Sequence, residues 1–94
     1  MDETRLKRIR FRAWRRGFRE ADLIMGPFAD SHAQNLDEEG LDAFEILLDQ
    51  QDQDVYDWIT GRMPAPAEFE SPVLEQLRAF QRSLPIASGD LSGS

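Results

Sequence analysis

Two segments with helically spaced apolar residues meet at residues 15–20, which read Arg15-Arg16-Gly17-Phe18-Arg19-Glu20. Glycine is the residue in this stretch that adopts a positive φ without steric cost. Adjacent arginines repel one another, and a glycine inside a helix costs about 1 kcal/mol relative to alanine, so a plain link between helices would favour other residues. Residues 15–20 therefore indicate a corner that presents charged side chains at the surface.

The spacing within this corner leaves two interpretations open. In the structural one, Arg16 and Glu20 form an i,i+4 pair, which stabilises an intact helix by only about 0.2–0.5 kcal/mol. In the functional one, Arg16 and Arg19 offer forked hydrogen-bond donors, and Glu20 accepts a hydrogen bond or holds one of these arginines. Gly17 would then let the backbone of another protein approach closely.

The apolar periodicity predicts an all-α fold, a compact bundle of about five short helices without strands. The first helix is expected to run from Thr4 to near residue 16, and the second to begin at Phe18. The second helix should kink or stop at Pro27, because proline has no N–H to donate to the preceding turn. Residues 30–35 are polar and predict a loop.

Three further helices follow from capping signals. Asp37 is expected to cap the third helix, which runs to about Gln50. Asp52 is expected to cap a short fourth helix, which ends at Gly61. Ser71-Pro72 is typical of a cap followed by proline at the first helical position, and it predicts the start of the last helix.

The length of 94 residues is enough for one domain with a modest core. We expect residues 1–84 to form a single helical-bundle domain, and residues 85–94, rich in Ser and Gly, to form a flexible C-terminal tail. The chain has no cysteine, which excludes disulfides and thiolate nucleophiles. No run approaches the length of a membrane span and no signal-peptide pattern opens the chain, so we expect a cytoplasmic protein that does not insert into a membrane.

The net charge of −7 conceals a basic first segment, because residues 1–20 hold eight Arg or Lys against three Asp or Glu. This segment either folds against the acidic remainder or binds an acidic partner surface or a nucleic acid. The acidic remainder would repel a long phosphate backbone, so no nucleic-acid partner is expected. The alternative functions are a nucleic-acid-binding regulator that uses the basic first helix and an antitoxin-like adaptor that neutralises another protein.

Catalytic and metal-binding candidates are few. His32 is the only histidine, and it has no serine or acidic partner at a recognisable motif spacing, so an ordinary surface residue is the better interpretation. Asp49, Asp52, Asp54 and Asp57 resemble calcium ligands, but the spacing lacks the glycine and the closing glutamate of an EF-hand loop. We therefore predict no catalytic residue, no metal site and no enzymatic activity.

Two stretches resemble the signature of the succinate dehydrogenase assembly factor 2 family, whose bacterial members are FAD assembly, or flavinylation, factors. The first contains the Arg-Gly-x-x-Glu motif of the family and reads Trp14-Arg15-Arg16-Gly17-Phe18-Arg19-Glu20-Ala21-Asp22, followed by Met25 and Pro27-Phe28. The second spans residues 47–59 and contains a leucine pair, an Asp-x-Asp and a tryptophan. The resemblance covers about residues 5–80, with a similar order and length of helices.

This resemblance implies a five-helix bundle that is not an enzyme. Members of the family bind the flavoprotein subunit of succinate dehydrogenase, and in some bacteria that of fumarate reductase, and promote covalent attachment of FAD to a histidine of that subunit. The FAD then belongs to the partner, and this chain, expected to be a monomer, holds no stable cofactor of its own. The implied partner-binding residues are Arg16, Gly17 and Glu20, supported by Arg15 and Arg19, with Asp52 and Asp54 as lesser candidates.

Overall fold

The computed structural model describes residues 3–15 and 17–84. Within these ranges the chain forms five α-helices and no strand: α1 Glu3–Trp14, α2 Arg19–His32, α3 Glu38–Leu48, α4 Asp52–Thr60 and α5 Pro72–Ser83. Short 3₁₀ turns lie at Ala33–Asn35 and Ala67–Phe69. The predicted all-α bundle of five short helices is confirmed. Arg16 and the expected tail, residues 85–94, lie outside the described residues.

One hydrophobic core joins the buried faces of all five helices. α2 packs against α1, α4 and α5, and its Phe28 is fully buried. The Phe28 ring meets Phe44 of α3 and Phe80 of α5 edge-on, each at a centroid distance of 5.5 Å. The residues that α1 buries are those whose spacing predicted its apolar stripe: Leu6, Ile9 and Ala13.

The predicted starts of α3 and α5 and the predicted end of α4 are confirmed by three local structures. The Asp37 carboxylate accepts a hydrogen bond from the Gly40 N–H at 2.8 Å, and the Ser71 hydroxyl accepts one from the Leu74 N–H at 3.1 Å. Both side chains satisfy donors that the first turn of a helix leaves unpaired. Gly61 follows α4 with φ +82°, the left-handed conformation that ends many helices at glycine.

The expected capping role of Asp52 is wrong. α4 begins at Asp52 itself, and Gln51 occupies the cap position without a side-chain hydrogen bond to the helix. Asp52 instead lies in the first turn, where the positive end of the helix dipole stabilises a carboxylate. The chain leaves α3 at Leu48, two residues before the expected end.

Of the two outcomes expected at Pro27, a kink or a stop, the stop does not occur, and the expected loop over residues 30–35 is wrong. α2 continues to His32, and a 3₁₀ turn follows directly. Pro27 removes only one backbone hydrogen bond of the helix. Burial of Phe28 and Ala29, together with Ala33 after the helix, outweighs this loss because each would lose core contacts in a loop.

The basic α1 folds in part against the acidic α3. Arg5 pairs with Asp42 and with Glu45, whose Oε1 lies 2.9 Å from the guanidinium, and Arg12 pairs with Asp49. The hydrogen bonds to Glu45 and Asp42 raise the pKa of Arg5 above its ordinary value. The intramolecular interpretation of the charge asymmetry is thus confirmed for these two arginines. No helix of the described ranges has the length and apolar character needed to cross a bilayer.

Candidate partner-binding site

The connection between α1 and α2 turns at Gly17, which has φ +89°. Residues other than glycine rarely adopt this backbone conformation, so the predicted corner is confirmed. A Cβ at Gly17 would meet no heavy atom within 4 Å. The backbone alone therefore requires glycine, and the space in front of Gly17 is open to another molecule.

Charged side chains surround this corner. Arg15, Arg19 and Glu20 are all exposed, and no ion pair to any of the three occurs within the described ranges. The Arg15 guanidinium carbon lies 4.9 Å from the centroid of the Phe11 ring, a cation–π arrangement. Because Arg16 lies outside the described residues, its pairing with Glu20 stays a prediction.

Phe18 connects the corner to α4. Its ring meets Tyr56 edge-on at a centroid distance of 5.4 Å, and both residues are half-buried. Tyr56 lies one turn beyond Asp52, so this contact brings the start of α4 close to the Arg-Gly-x-x-Glu motif. The two stretches that carry the family resemblance therefore meet in the folded chain.

A shallow surface depression of about 220 Å³ lies next to the corner. Arg15 lines one side of it and Asp52 another, so one candidate residue from each motif borders the same space. The other lining residues come from the end of α1 and the α3–α4 connection: Phe11, Arg12, Leu48 and Gln50. Asp54 is exposed in the first turn of α4 and does not line the depression.

The aromatic side chains of this site were not among the predicted partner-binding residues, although Phe11 lies off the narrow apolar stripe of α1. Phe11 is 60% exposed, so its ring is accessible to another molecule. Phe11 precedes Arg15 by four residues, and Tyr56 follows Asp52 by four. Since residues four apart share a helix face, this spacing was the available signal.

The site offers groups that are suited to molecular recognition. Within the described residues, no group of three or more His, Asp or Glu side chains is placed to hold a metal ion. His32 lies elsewhere, stacked on Phe28 at a centroid distance of 4.8 Å, with Nδ1 2.7 Å from the Ser31 hydroxyl. Guanidinium donors, a carboxylate acceptor and an exposed ring are suited to binding the surface of another protein.

The model of a family described as flavinator of succinate dehydrogenase matches residues 7–81. The chain is 36% identical to FAD assembly factor SdhE of Acetobacter pasteurianus over 79% of this chain and 68% of that protein. It is also similar to two proteins named succinate dehydrogenase assembly factor 2, mitochondrial. The one from Mycosarcoma maydis is 39% identical over 71% of this chain, and the one from Dictyostelium discoideum is 32% identical over 85%.

The chain spans 28% and 57% of the lengths of these two mitochondrial relatives. The range that the family model matches contains both motifs, the corner at Gly17 and the start of α4. Because this match covers most of the chain, the protein belongs to the succinate dehydrogenase assembly factor 2 family, the flavinators of succinate dehydrogenase.

Proposed function

We propose that this protein is an assembly factor that binds the flavoprotein subunit of succinate dehydrogenase and promotes covalent attachment of FAD to it. Family membership and the names of the relatives support this proposal. The observation that carries it is the exposed corner, where Gly17 faces open space beside the exposed charged side chains of Arg15, Arg19 and Glu20, none of which forms an ion pair with another described residue. A corner that only joined two helices would not need this combination.

The proposed mechanism is differential binding. A factor that binds the partner conformation in which the flavin and its acceptor histidine are aligned raises the population of that conformation. Such a factor needs no reactive group, so we propose that this protein is not an enzyme and that FAD stays with the partner. Arg16, Gly17 and Glu20 would make the central contacts, Arg15 and Arg19 would add charge contacts, and Asp52 and Asp54 would extend the surface.

We further propose that the protein acts as a cytoplasmic monomer and that the flavoprotein subunit of fumarate reductase is a second client. A nucleic-acid role is less favoured by the fold. Arg5 pairs with two carboxylates of α3 and Arg12 with Asp49, directly after α3, so two cations of the basic helix are partly neutralised. The same α3 carboxylates would lie beside any phosphate backbone bound along α1 and repel it.

The proposal is tested by co-expressing the protein with a succinate dehydrogenase flavoprotein subunit and measuring the fluorescence of covalent flavin in the denatured subunit band. We expect the band to strengthen with the wild-type protein and to weaken with Glu20→Ala or Gly17→Arg. Retained helical circular dichroism would separate loss of binding from loss of fold.

Gly61→Arg is the matched control for Gly17→Arg. Gly61 also has a positive φ, +82°, and open space around a built Cβ, but it lies at the opposite end of α4 from Asp52. The backbone strain is therefore similar while the position differs. If the wild-type protein does not change covalent flavin attachment, the proposed function is wrong. If attachment fails equally with both arginine variants, the proposed site is wrong.

A further inference from the structure

The Trp14 ring at the end of α1 lies directly on the backbone of α2 at Gly26. A Cβ built on Gly26 would come within 2.5 Å of Trp14 Cε2 and 2.7 Å of Cε3, distances that real Cβ atoms do not tolerate. Gly26 is buried inside α2, and the positive-φ glycines of the described ranges are Gly17 and Gly61. Gly26 therefore serves a close approach of the ring rather than an unusual backbone conformation.

A hydrogen bond fixes the same ring at its polar edge. Trp14 Nε1 donates to the Asp30 carboxylate at 3.1 Å, and Asp30 lies one helical turn beyond Gly26 on α2. Contact with Gly26 fixes the distance between the Trp14 ring and the backbone of α2. The hydrogen bond to Asp30 restricts rotation of the ring. Trp14 is thus held in one position although its side chain is 41% exposed.

This contact is not part of the hydrophobic core. The core cluster includes Ile9 and Ala13 of α1 but not Trp14, so the bundle does not depend on the indole for most of its burial. Trp14 is instead the last residue of α1, directly before Arg15. The connection from there to Arg19 is short, so the position of its first residue restricts the whole connection.

We propose that Trp14, which contacts Gly26 and is held by Asp30, is a positioning residue that sets where Arg15, Gly17 and Phe18 lie as the chain leaves α1 and presents the partner-binding site. Phe18 holds the other end of the connection against Tyr56, so the corner is restrained on both sides. The proposal rests on the proposed function, because it assigns Trp14 a role in placing that site.

The test compares Gly26→Ala, Trp14→Ala and the double variant for affinity toward the flavoprotein subunit and for the amide NMR shift of Gly17. We expect Gly26→Ala to displace the ring, to shift the Gly17 resonance and to weaken binding by about tenfold or more, since small displacements of positioned groups carry losses of this size. Trp14→Ala should have a similar effect. The double variant should bind no worse than either single variant, because without the indole a methyl group at position 26 displaces nothing.

Gly40→Ala is the control for a helical glycine. The Cβ there would approach the side chains of Leu36 and Asp37 no closer than 3.1 Å, and Gly40 lies in α3 away from the corner. This variant should leave the affinity and the Gly17 resonance unchanged. If Gly26→Ala fails to fold by circular dichroism, Trp14→Ala and the double variant, both free of the clash, carry the comparison.

Glu20→Ala in the same assay separates the two proposals. If Glu20→Ala weakens binding while Trp14→Ala binds normally, the positioning role is wrong and the proposed function stands. Additive losses in the double variant would also overturn the positioning role. If Glu20→Ala binds normally as well, the proposed site itself is wrong, and the positioning role falls with it.

Discussion

Phe18 in the α1–α2 connection contacts Tyr56 in α4 edge-on, with ring planes at 88° to one another. The two residues are distant in sequence, and each belongs to one of the two stretches that carry the family resemblance. Aromatic pairs of this geometry contribute about 0.5–1.5 kcal/mol beyond their buried area. The contact therefore holds the Arg-Gly-x-x-Glu corner and the start of α4 together as one surface.

Replacing Tyr56 with leucine should lower both stability and partner binding. Leucine keeps much of the apolar volume but removes the edge-on ring contact, so the free energy of unfolding in urea should fall by about 0.5–1.5 kcal/mol. Binding to the flavoprotein subunit should weaken because the corner loses its support on α4. Phe18→Leu should behave alike, and the two changes should be less than additive in a double-mutant cycle.

Phe69→Leu is the control for Tyr56→Leu. Phe69 stacks on Trp58 at a centroid distance of 5.0 Å, an aromatic pair outside the candidate site. Stability should fall to a comparable extent while binding stays at the wild-type level. Equal loss of binding in both variants would mean that general destabilisation, not support of the corner, explains the effect.

Alanine at Gly17 or Gly61 should cost the same stability but differ in function. Neither built Cβ meets a heavy atom within 4 Å, so the cost in each case is the left-handed backbone conformation, about 1–2 kcal/mol. Thermal unfolding measures this cost, and covalent flavin in the co-expressed subunit measures function. We expect only Gly17→Ala to reduce the flavin signal. Clearly unequal stability losses would contradict the open surroundings of the two glycines.

Removal of the helix caps should destabilise the bundle without affecting the partner-binding site. Ser71→Ala and Asp37→Ala each leave a first-turn N–H without its side-chain acceptor, which typically costs about 1 kcal/mol. Ser83→Ala is the control, because the Ser83 hydroxyl donates to the Phe80 carbonyl at the end of α5 and caps no helix start. In urea unfolding, Ser83→Ala should lower the free energy of unfolding much less than the other two changes do. All three variants should support flavin attachment.

The parts of the fold that the sequence predicted correctly depend on local chemistry. Leu6, Ile9 and Ala13 recur with helical spacing and are buried, and Asp37 and Ser71 cap helices as their residue types indicate. The same local rules were wrong after Pro27, where they allowed α2 to stop and predicted a loop over residues 30–35. Core packing by neighbouring residues keeps that segment helical, and such long-range burial cannot be inferred from a proline and a polar run.

For the candidate site, too, local signals were predictable from the sequence and tertiary contacts were not. The sequence located the corner because glycine between arginines is a local signal, and φ +89° at Gly17 confirms the backbone that it implies. The contacts that support the corner were not predictable in this way. Trp14 meets α2 and Phe18 meets α4 only in the folded chain, so the pairings depend on tertiary structure.

Arg78 connects α5 to α4 and to the segment before α5. Its guanidinium donates to both carboxylate oxygens of Glu70, at 3.0 and 3.1 Å, and its Nε donates to the Trp58 carbonyl at 3.1 Å. The hydrogen bond from Arg78 holds the pKa of Glu70 below its ordinary value of 4.5. Paired donors of this geometry favour the ionised carboxylate.

The lowered pKa of Glu70 predicts a sign for the pH dependence of stability. A carboxylate whose pKa is depressed by folding stabilises the folded state above its unfolded pKa, and this contribution is lost as the pH falls through the folded pKa. Wild-type protein should therefore lose stability as the pH falls below about 4.5, the ordinary value of a glutamate. Glu70→Gln should be less stable than wild type at neutral pH and should approach it in acid.

Urea unfolding across this pH range measures the difference between wild type and Glu70→Gln. Glu68→Gln is the control, because it removes a carboxylate from the 3₁₀ turn directly before Glu70 without breaking a bond to Arg78. The Glu70 side chain is 43% exposed, so solvent screens the pair and the difference should be modest. Parallel curves for wild type and Glu70→Gln would contradict the assignment, whereas curves that converge only in acid would locate this part of the acid sensitivity at the Glu70–Arg78 pair.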